Sequence, residues 1–98
     1  GYRIGEPAGD LAAAAALLTS LSDAAAPERS VFFGEVSLSG AVRPVARIEQ
    51  RLKEAARLGF VHAYVPEGSP SSVDGLTITP IKRLIQLVEL LAPDALNA

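Results

Sequence analysis

Residues 31–45 constrain the fold of this chain more than any other stretch. They begin with β-branched and aromatic residues, continue to a Ser39-Gly40 dipeptide, and end in a short apolar segment that contains Pro44. Strand-forming residues on both sides of a small, flexible pair are typical of a hairpin, and a proline rarely continues a central strand. The sequence therefore predicts a strand, a tight turn at Ser39-Gly40, and a short returning strand.

Helices and strands alternate along the rest of the chain. Alanine-rich sequence predicts a helix over residues 7–22, and apolar residues at helical spacing predict a second helix over residues 46–58, which Gly59 ends. The later predicted elements are a strand over 60–65, an exposed loop over 67–75, a strand over 76–79, and a helix over 80–91 that Pro80 opens. This order predicts an α/β (α+β layered) fold with a small mixed sheet packed with helices.

Each predicted helix has one apolar face. The residues on these faces are Leu11, Ala14, Ala15, Leu18 and Leu21 in the first helix, Ile48, Leu52, Ala55 and Ala56 in the second, and Ile81, Leu84, Ile85, Val88 and Leu91 in the third. Spacings of three and four residues place side chains on one side of a helix. We therefore expect these residues to be buried.

Length and composition indicate one globular domain over residues 1–98, with an ordinary hydrophobic content of 49%. The absence of cysteine excludes disulfides and thiolate metal ligands, and no metal site is predicted. No apolar run reaches the length of a membrane span and no signal peptide is visible, so we expect a cytoplasmic protein with no membrane partner. Residues 1–4 have the pattern of a strand end, and we therefore expect the chain to be a fragment of a larger protein.

Several sequence blocks, in the right order, resemble one bacterial family. The blocks are residues 4–11, the Gly-Glu-Val-x-Leu-x-Gly-x-Val-Arg-Pro-Val run over 34–45, Arg-Leu-Lys-Glu-Ala-Ala over 51–56, Leu-Gly-Phe over 58–60, and Val65-Pro66. Together they resemble the Lon-like C-terminal domain of the RadA family of DNA repair proteins, and more distantly the proteolytic domain of Lon-type proteases. The resemblance implies a Lon proteolytic-domain-like fold, which is also described as ribosomal-protein-S5-domain-2-like.

The resemblance also implies a role. In the RadA family this domain follows a zinc-binding module and a RecA-like ATPase, and the whole protein is a DNA-dependent ATPase that drives branch migration. The resemblance therefore implies a hexameric homo-oligomer, DNA as a partner, and ATP and zinc as cofactors of the full-length parent. It implies no cofactor in this chain itself. The expected role is that of an oligomerisation scaffold and a DNA-contacting module, with a purely ring-forming module as another interpretation.

The resemblance implies that this domain is not an enzyme. Laying residues 7–9 on the Pro-Ser-Ala motif of Lon places Ala8 at the catalytic serine, and the hairpin register places Glu49 at the catalytic lysine. A serine–lysine dyad needs a hydroxyl and an amine within hydrogen-bond distance, and neither residue supplies one. The alternative, a Lon-type ATP-dependent serine peptidase domain, would need both residues changed.

Basic residues concentrate after the hairpin. Residues 31–60 contain five Lys and Arg against three Glu, although the formal net charge of the chain is −2. Arg43 ends the hairpin, and Arg47 and Arg51 are four apart on the second helix. We predict these three arginines as the DNA-contacting residues, because guanidinium groups bind phosphates without reading bases. A solvated helix face, partly neutralised by Glu49 and Glu54, is the competing interpretation.

The other polar residues predict no chemistry. His62 lies in a predicted strand without a recognisable catalytic partner, so we expect a packed or rim histidine. Ser69, Ser71 and Ser72 lie in the predicted loop, where serine is usually solvated. The chain has no P-loop motif, and it therefore cannot bind ATP by that route.

Overall fold

The structure is a computed structural model that describes residues 9–21 and 29–96. Its elements in chain order are α1 (Asp10–Leu21), β1 (Ser30–Phe32), β2 (Glu35–Val36), β3 (Val42–Arg43), α2 (Ile48–Arg57), β4 (His62–Pro66), β5 (Thr77–Ile81), α3 (Leu84–Leu91) and a short 3₁₀ helix (Pro93–Leu96). The prediction of a small α/β domain is confirmed, but the predicted mixed sheet is wrong for the described residues, where the parallel sheet and the antiparallel hairpin are separate. The Lon-like identity of the fold stays a prediction.

Two separate strand groups organise the described residues. The larger is a three-stranded parallel sheet in the order β1-β4-β5, with Phe32 opposite Tyr64 and Tyr64 opposite Thr79. The smaller is the predicted antiparallel hairpin, β2 with β3, in which Val36 lies opposite Val42. The strand predicted before the turn is therefore divided between the two groups.

The division occurs at Gly34, where the chain leaves the parallel sheet. The amide of Phe33 still donates to the carbonyl of Tyr64 at 2.9 Å, and two residues later Glu35 already pairs with Arg43. A Cβ on Gly34 would lie 2.9 Å from Cγ1 of Val42, closer than real Cβ contacts. Glycine is therefore the residue that lets the chain pass from one strand group to the other at this crowded point.

Helices cover both faces of the parallel sheet. On one face, α1 and α3 pack against Phe32 and Tyr64 in a cluster that also contains Leu11, Ala12, Ala15, Val42, Ile81, Leu87 and Leu91. On the other face, α2 contributes Leu52 and Ala55 to a cluster with Phe33, Val45, Ala63 and Val65. Because neighbouring residues of a strand face opposite sides of the sheet, Tyr64 belongs to the first of these clusters and Ala63 to the second. The core thus consists of two layers, one on each side of the sheet.

The predicted apolar faces are confirmed for α1 and α2 where the structure describes them. Leu11, Ala15, Leu52 and Ala55 are buried, and Ala14, Leu18, Ile48 and Ala56 are half-buried. The helix starts at Asp10, and the predicted start at residue 7 lies outside the described residues, as does the side chain of Leu21. Helix α2 begins at Ile48 rather than Ala46, because a turn precedes it.

The prediction for the last helix is wrong at its start. Pro80 lies in β5 and pairs with Val65, and Ile81 is the buried last residue of that strand. The outer strand of a sheet tolerates proline, because one of its edges needs no amide donor. Helix α3 begins only at Leu84, and its buried residues are Leu87 and Leu91, whereas Ile85 is 46% exposed.

Neither a membrane span nor a metal site is found among the described residues. No helix in this part of the chain combines the length and apolar character that crossing a membrane requires. Within the same residues, no group of three or more His, Asp or Glu side chains is placed to hold a metal ion.

Candidate functional site

Arg43 lies at the end of the hairpin, on the strand β3. Its side chain is exposed, and its Cα is paired with that of Glu35 on β2. In the described part of the chain, its guanidinium belongs to no ion pair. A cation that is exposed and not already neutralised at short range is free to contact an external anion.

Arg47 marks the turn between the hairpin and α2. It is exposed, and its backbone is left-handed, with φ 59° and ψ 39°. Its carbonyl accepts a hydrogen bond from the amide of Arg51 at 3.0 Å, so its backbone already forms the first turn of the helix. Left-handed backbone is uncommon for a long side chain, and here it reverses the chain immediately before α2.

Arg51 is more constrained than the other two predicted arginines. Its Nε donates to the carbonyl of Ala46 at 2.8 Å, and the residue is half-buried. The side chain therefore folds back over the turn that precedes α2. A structural role for Arg51 follows directly from this bond, and its contact with DNA stays a prediction.

The remaining charges of α2 are paired with each other. Nζ of Lys53 lies 3.8 Å from a carboxylate oxygen of Glu49, and Arg57 donates from Nε and Nη2 to Glu54. These four side chains are between 49% and 75% exposed. Exposed pairs of this kind contribute little to stability. For these four residues, the competing interpretation of a solvated helix face fits the geometry well.

Two basic residues that sequence reasoning missed lie beside the hairpin. Lys82 and Arg83 are exposed and precede α3. The amide of Val42 donates to the carbonyl of Lys82 at 2.9 Å, and Nη2 of Arg83 donates to the carbonyl of Ser39 at 2.8 Å. They are far from the hairpin in sequence, and no local pattern signals this proximity. Only the pairing of the hairpin with the end of β5 brings them together.

Gly9, which follows the predicted degenerate serine position, lies against a closely packed backbone. Ala8 itself is outside the described residues, but Gly9 follows it with φ +85°. A Cβ on Gly9 would lie 2.5 Å from the carbonyl oxygen of Gly34. The same carbonyl accepts from the amide of Leu11 at 2.8 Å, and a carboxylate oxygen of Asp10 accepts from the amide of Val36 at 3.0 Å. The start of α1 is thus attached to the hairpin.

Glu49, the predicted degenerate lysine position, lies on the outer side of α2. Glu49 is exposed, and with Lys53, Ala56 and residues 72–74 it lines an open depression of about 400 Å³. A carboxylate whose nearest cation is Lys53 has no amine to offer as a general base at this position.

His62 and the loop serines lie in structural positions. His62 is the half-buried first residue of β4, between Ser30 and Thr77 in register. Oγ of Ser69 donates to the carbonyl of Pro66 at 2.6 Å, which stabilises the turn after β4, and Ser71 and Ser72 are exposed. The expectation of a packed or rim histidine agrees with this position.

Within residues 9–21 and 29–96, one titratable group has a perturbed pKa. Burial removes water from the Tyr64 phenol and raises its pKa above the ordinary value of 10.0. The ring is buried and stacks on Phe32, with centroids 4.7 Å apart and planes at 10°. Tyr64 lies in the core rather than near the arginines, and its perturbed pKa therefore reflects packing and not a site for chemistry.

Comparison with known proteins identifies relatives of most of the chain. A family model described as subunit ChlI of Mg-chelatase matches residues 6–69. Proteins named DNA repair protein RadA match more of the chain. That of Brucella abortus is 61% identical over 69 residues, which are 70% of this chain and 15% of that protein. Those of Aquifex aeolicus and Streptococcus pneumoniae are 41% and 39% identical over 93% and 90% of this chain, or 20% and 22% of their own length. The chain thus spans about a fifth of these relatives or less.

Proposed function

This chain belongs to the family described as subunit ChlI of Mg-chelatase, and from that membership and its RadA relatives we propose that it is the Lon-like, non-catalytic domain of a RadA-type DNA repair protein. The observation that carries the proposal is the similarity to RadA proteins over up to 93% of the chain. In this proposal the domain has two roles, as a scaffold of a homo-oligomer and as a surface that contacts DNA.

The proposed DNA contact is electrostatic. Arg43, in β3, and Arg47, immediately before α2, are both exposed, and within the described residues neither is in an ion pair. Cations that neutralise phosphates release condensed counterions, so binding weakens steeply as salt is raised. Contacts to phosphates position a protein on DNA but carry no sequence information. The domain therefore contacts DNA of any sequence with similar strength.

The proposed parent protein supplies the chemistry that this domain lacks. We propose a zinc-binding module and a RecA-like ATPase in the same polypeptide, with ATP and zinc as its cofactors and a hexameric ring as its assembly. That protein is proposed to act as a DNA-dependent ATPase in branch migration. Because bacterial DNA lies in the cytoplasm, this proposal also places the protein there.

A peptidase is the alternative that the same fold would allow. It requires a nucleophile and an amine where this chain has Ala8 and Glu49. A methyl group cannot attack a carbonyl, and the Glu49 carboxylate lies next to Lys53 on an exposed helix face. These residues favour the interpretation as a non-catalytic domain.

The test is charge reversal in the full-length protein that carries this segment. Arg43→Glu/Arg47→Glu is compared with Lys53→Glu/Arg57→Glu, which changes the net charge equally at cations that are already paired. We expect the first variant to weaken duplex binding strongly and to reduce the slope of log affinity against log salt by about one for each phosphate that the protein no longer neutralises. The control should leave this slope nearly unchanged.

Sedimentation separates DNA contact from assembly. Both variants are compared with the unmodified protein in the same sedimentation experiment, so that a loss of DNA binding is not mistaken for a loss of assembly. Unchanged DNA affinity of Arg43→Glu/Arg47→Glu in an intact oligomer would reduce the domain to a scaffold. A protein that remains monomeric at every concentration would contradict the scaffold role.

A further inference from the structure

We infer that the phosphate-contacting surface extends from the hairpin to the segment before α3, and that Arg83, with Lys82 beside it, contacts the same DNA backbone as Arg43. This inference rests on the proposed function and adds residues to the same surface. It follows from three observations on the described residues: the pairing of the hairpin with residues 82–84, the charges exposed there, and the fixed backbone that carries them.

The first observation is that the hairpin and residues 82–84 form one short antiparallel ribbon. Ala41 and Arg83 form an antiparallel bridge, and the amide of Leu84 donates to the carbonyl of Gly40 at 2.8 Å. Residues directly opposite in such a bridge, and residues two apart on one strand, lie on the same face. Arg43 and Arg83 therefore share a face, with their Cα atoms on the order of 8 Å apart from strand spacing and rise.

The second observation is the charge of this ribbon. Arg43, Lys82 and Arg83 are all exposed, and none of them forms an ion pair with a residue in 9–21 or 29–96. Among the described residues, three acidic residues lie near this backbone without forming an ion pair to it: Glu35 is opposite Arg43 in register, Asp10 accepts from the amide of Val36, and the amide of Glu67 donates to the carbonyl of Ile81. Exposed cations that no carboxylate neutralises at short range attract polyanions such as a nucleic-acid backbone.

The third observation is that the backbone presenting these cations is held from both sides. Oε1 of Gln86 accepts from the amides of Lys82 and Arg83, at 2.6 Å and 2.9 Å. Arg83 donates one guanidinium N–H to the carbonyl of Ser39. A guanidinium has five N–H donors, so the others remain for a phosphate oxygen. A cation held in place loses less conformational entropy when it binds than a mobile one.

The main test measures duplex binding at several salt concentrations in the full-length protein. Lys82→Gln/Arg83→Gln is compared with Lys53→Gln/Arg57→Gln, which removes the same charge from the paired face of α2. For each phosphate interaction that the first variant removes, we expect the salt slope to fall by about one and the affinity near 0.2 M salt to fall about fourfold. The control variant should keep the slope of the unmodified protein.

A second variant separates charge from structure, because Arg83 also holds the hairpin turn. Arg83→Lys keeps the positive charge but gives up the planar group that reaches Ser39. If Arg83 contacts phosphate, Arg83→Lys keeps the salt slope that Arg83→Gln loses. If its role is only to hold the turn, both variants lower the melting temperature alike and neither changes the slope, which would overturn the inference.

The two proposals fail in distinguishable ways. A loss of binding in Arg43→Glu/Arg47→Glu with an unchanged slope in Lys82→Gln/Arg83→Gln would overturn the inference and leave the proposed function standing. An unchanged affinity in both would overturn both. A loss in both, with the α2 controls unchanged, is the expected result.

Discussion

The close approach of Gly9 to Gly34 predicts a large effect of a very small substitution. Gly9→Ala would add a Cβ 2.5 Å from the carbonyl oxygen of Gly34, at a residue with φ +85°. The left-handed backbone alone costs about 1–2 kcal/mol for a residue with a side chain. Relieving the clash requires the start of α1 to move, which weakens the hydrogen bond from Leu11 to Gly34, worth about 0.5–1.5 kcal/mol. We expect the free energy of unfolding to fall by about 1.5–3.5 kcal/mol in total.

Gly75→Ala is a matched control for this prediction. Gly75 has almost the same backbone, with φ +83°, but a Cβ there would meet nothing within 4 Å. Both substitutions reduce the entropy of the unfolded chain equally, so that effect cancels in the comparison. Urea unfolding should show Gly9→Ala to be at least about 1 kcal/mol less stable than Gly75→Ala. Equal destabilisation of the two variants would refute the close attachment of α1 to the hairpin.

Two further predictions concern alkaline pH and peptidase activity. Because burial raises the pKa of Tyr64 in the folded state, the stability that its neutral form contributes is present below about pH 10.0 and is lost as pH rises further. Tyr64→Phe should therefore reduce the fall in melting temperature above about pH 10. If the variant shows the same fall as the unmodified protein, Tyr64 is not its cause. The unmodified chain should not cleave unfolded casein, in an assay that also includes the Ala8→Ser/Glu49→Lys variant, and turnover by the unmodified chain would contradict the non-catalytic interpretation.

Local sequence chemistry was sufficient to predict the hairpin and α2. The turn needed only Ser39-Gly40 between strand-forming residues, and Gly40 indeed has φ +86°. In α2, apolar residues at helical spacing predicted Leu52 and Ala55 as core residues, and both are buried. Signals of this kind depend on neighbours within one turn or strand, and a single sequence contains them in full.

Features that depend on distant residues could not be predicted in the same way. Pro80 is typical of the first turn of a helix, but β5 is the outer strand of the described sheet, where proline is tolerated. With the helix starting at Leu84, the buried positions shift, and Leu87 rather than Ile85 faces the core. Arg83 was missed at the candidate site for a similar reason, since only its bridge to Ala41 brings it to the hairpin.

The bridge between the hairpin and Arg83 also affects the order of folding. Arg83 and Ser39 are 44 residues apart, and the loop that their contact closes contains β3, α2, β4 and β5. Long loops are entropically costly to close, so we expect this junction to form late, and late contacts govern the rate of unfolding. The amides of Val42 and Leu84, which bond across the junction, should then exchange with solvent together and before those of β4. The lifetime of this junction, rather than the stability of the core, would limit how long the surface around Arg43 stays assembled.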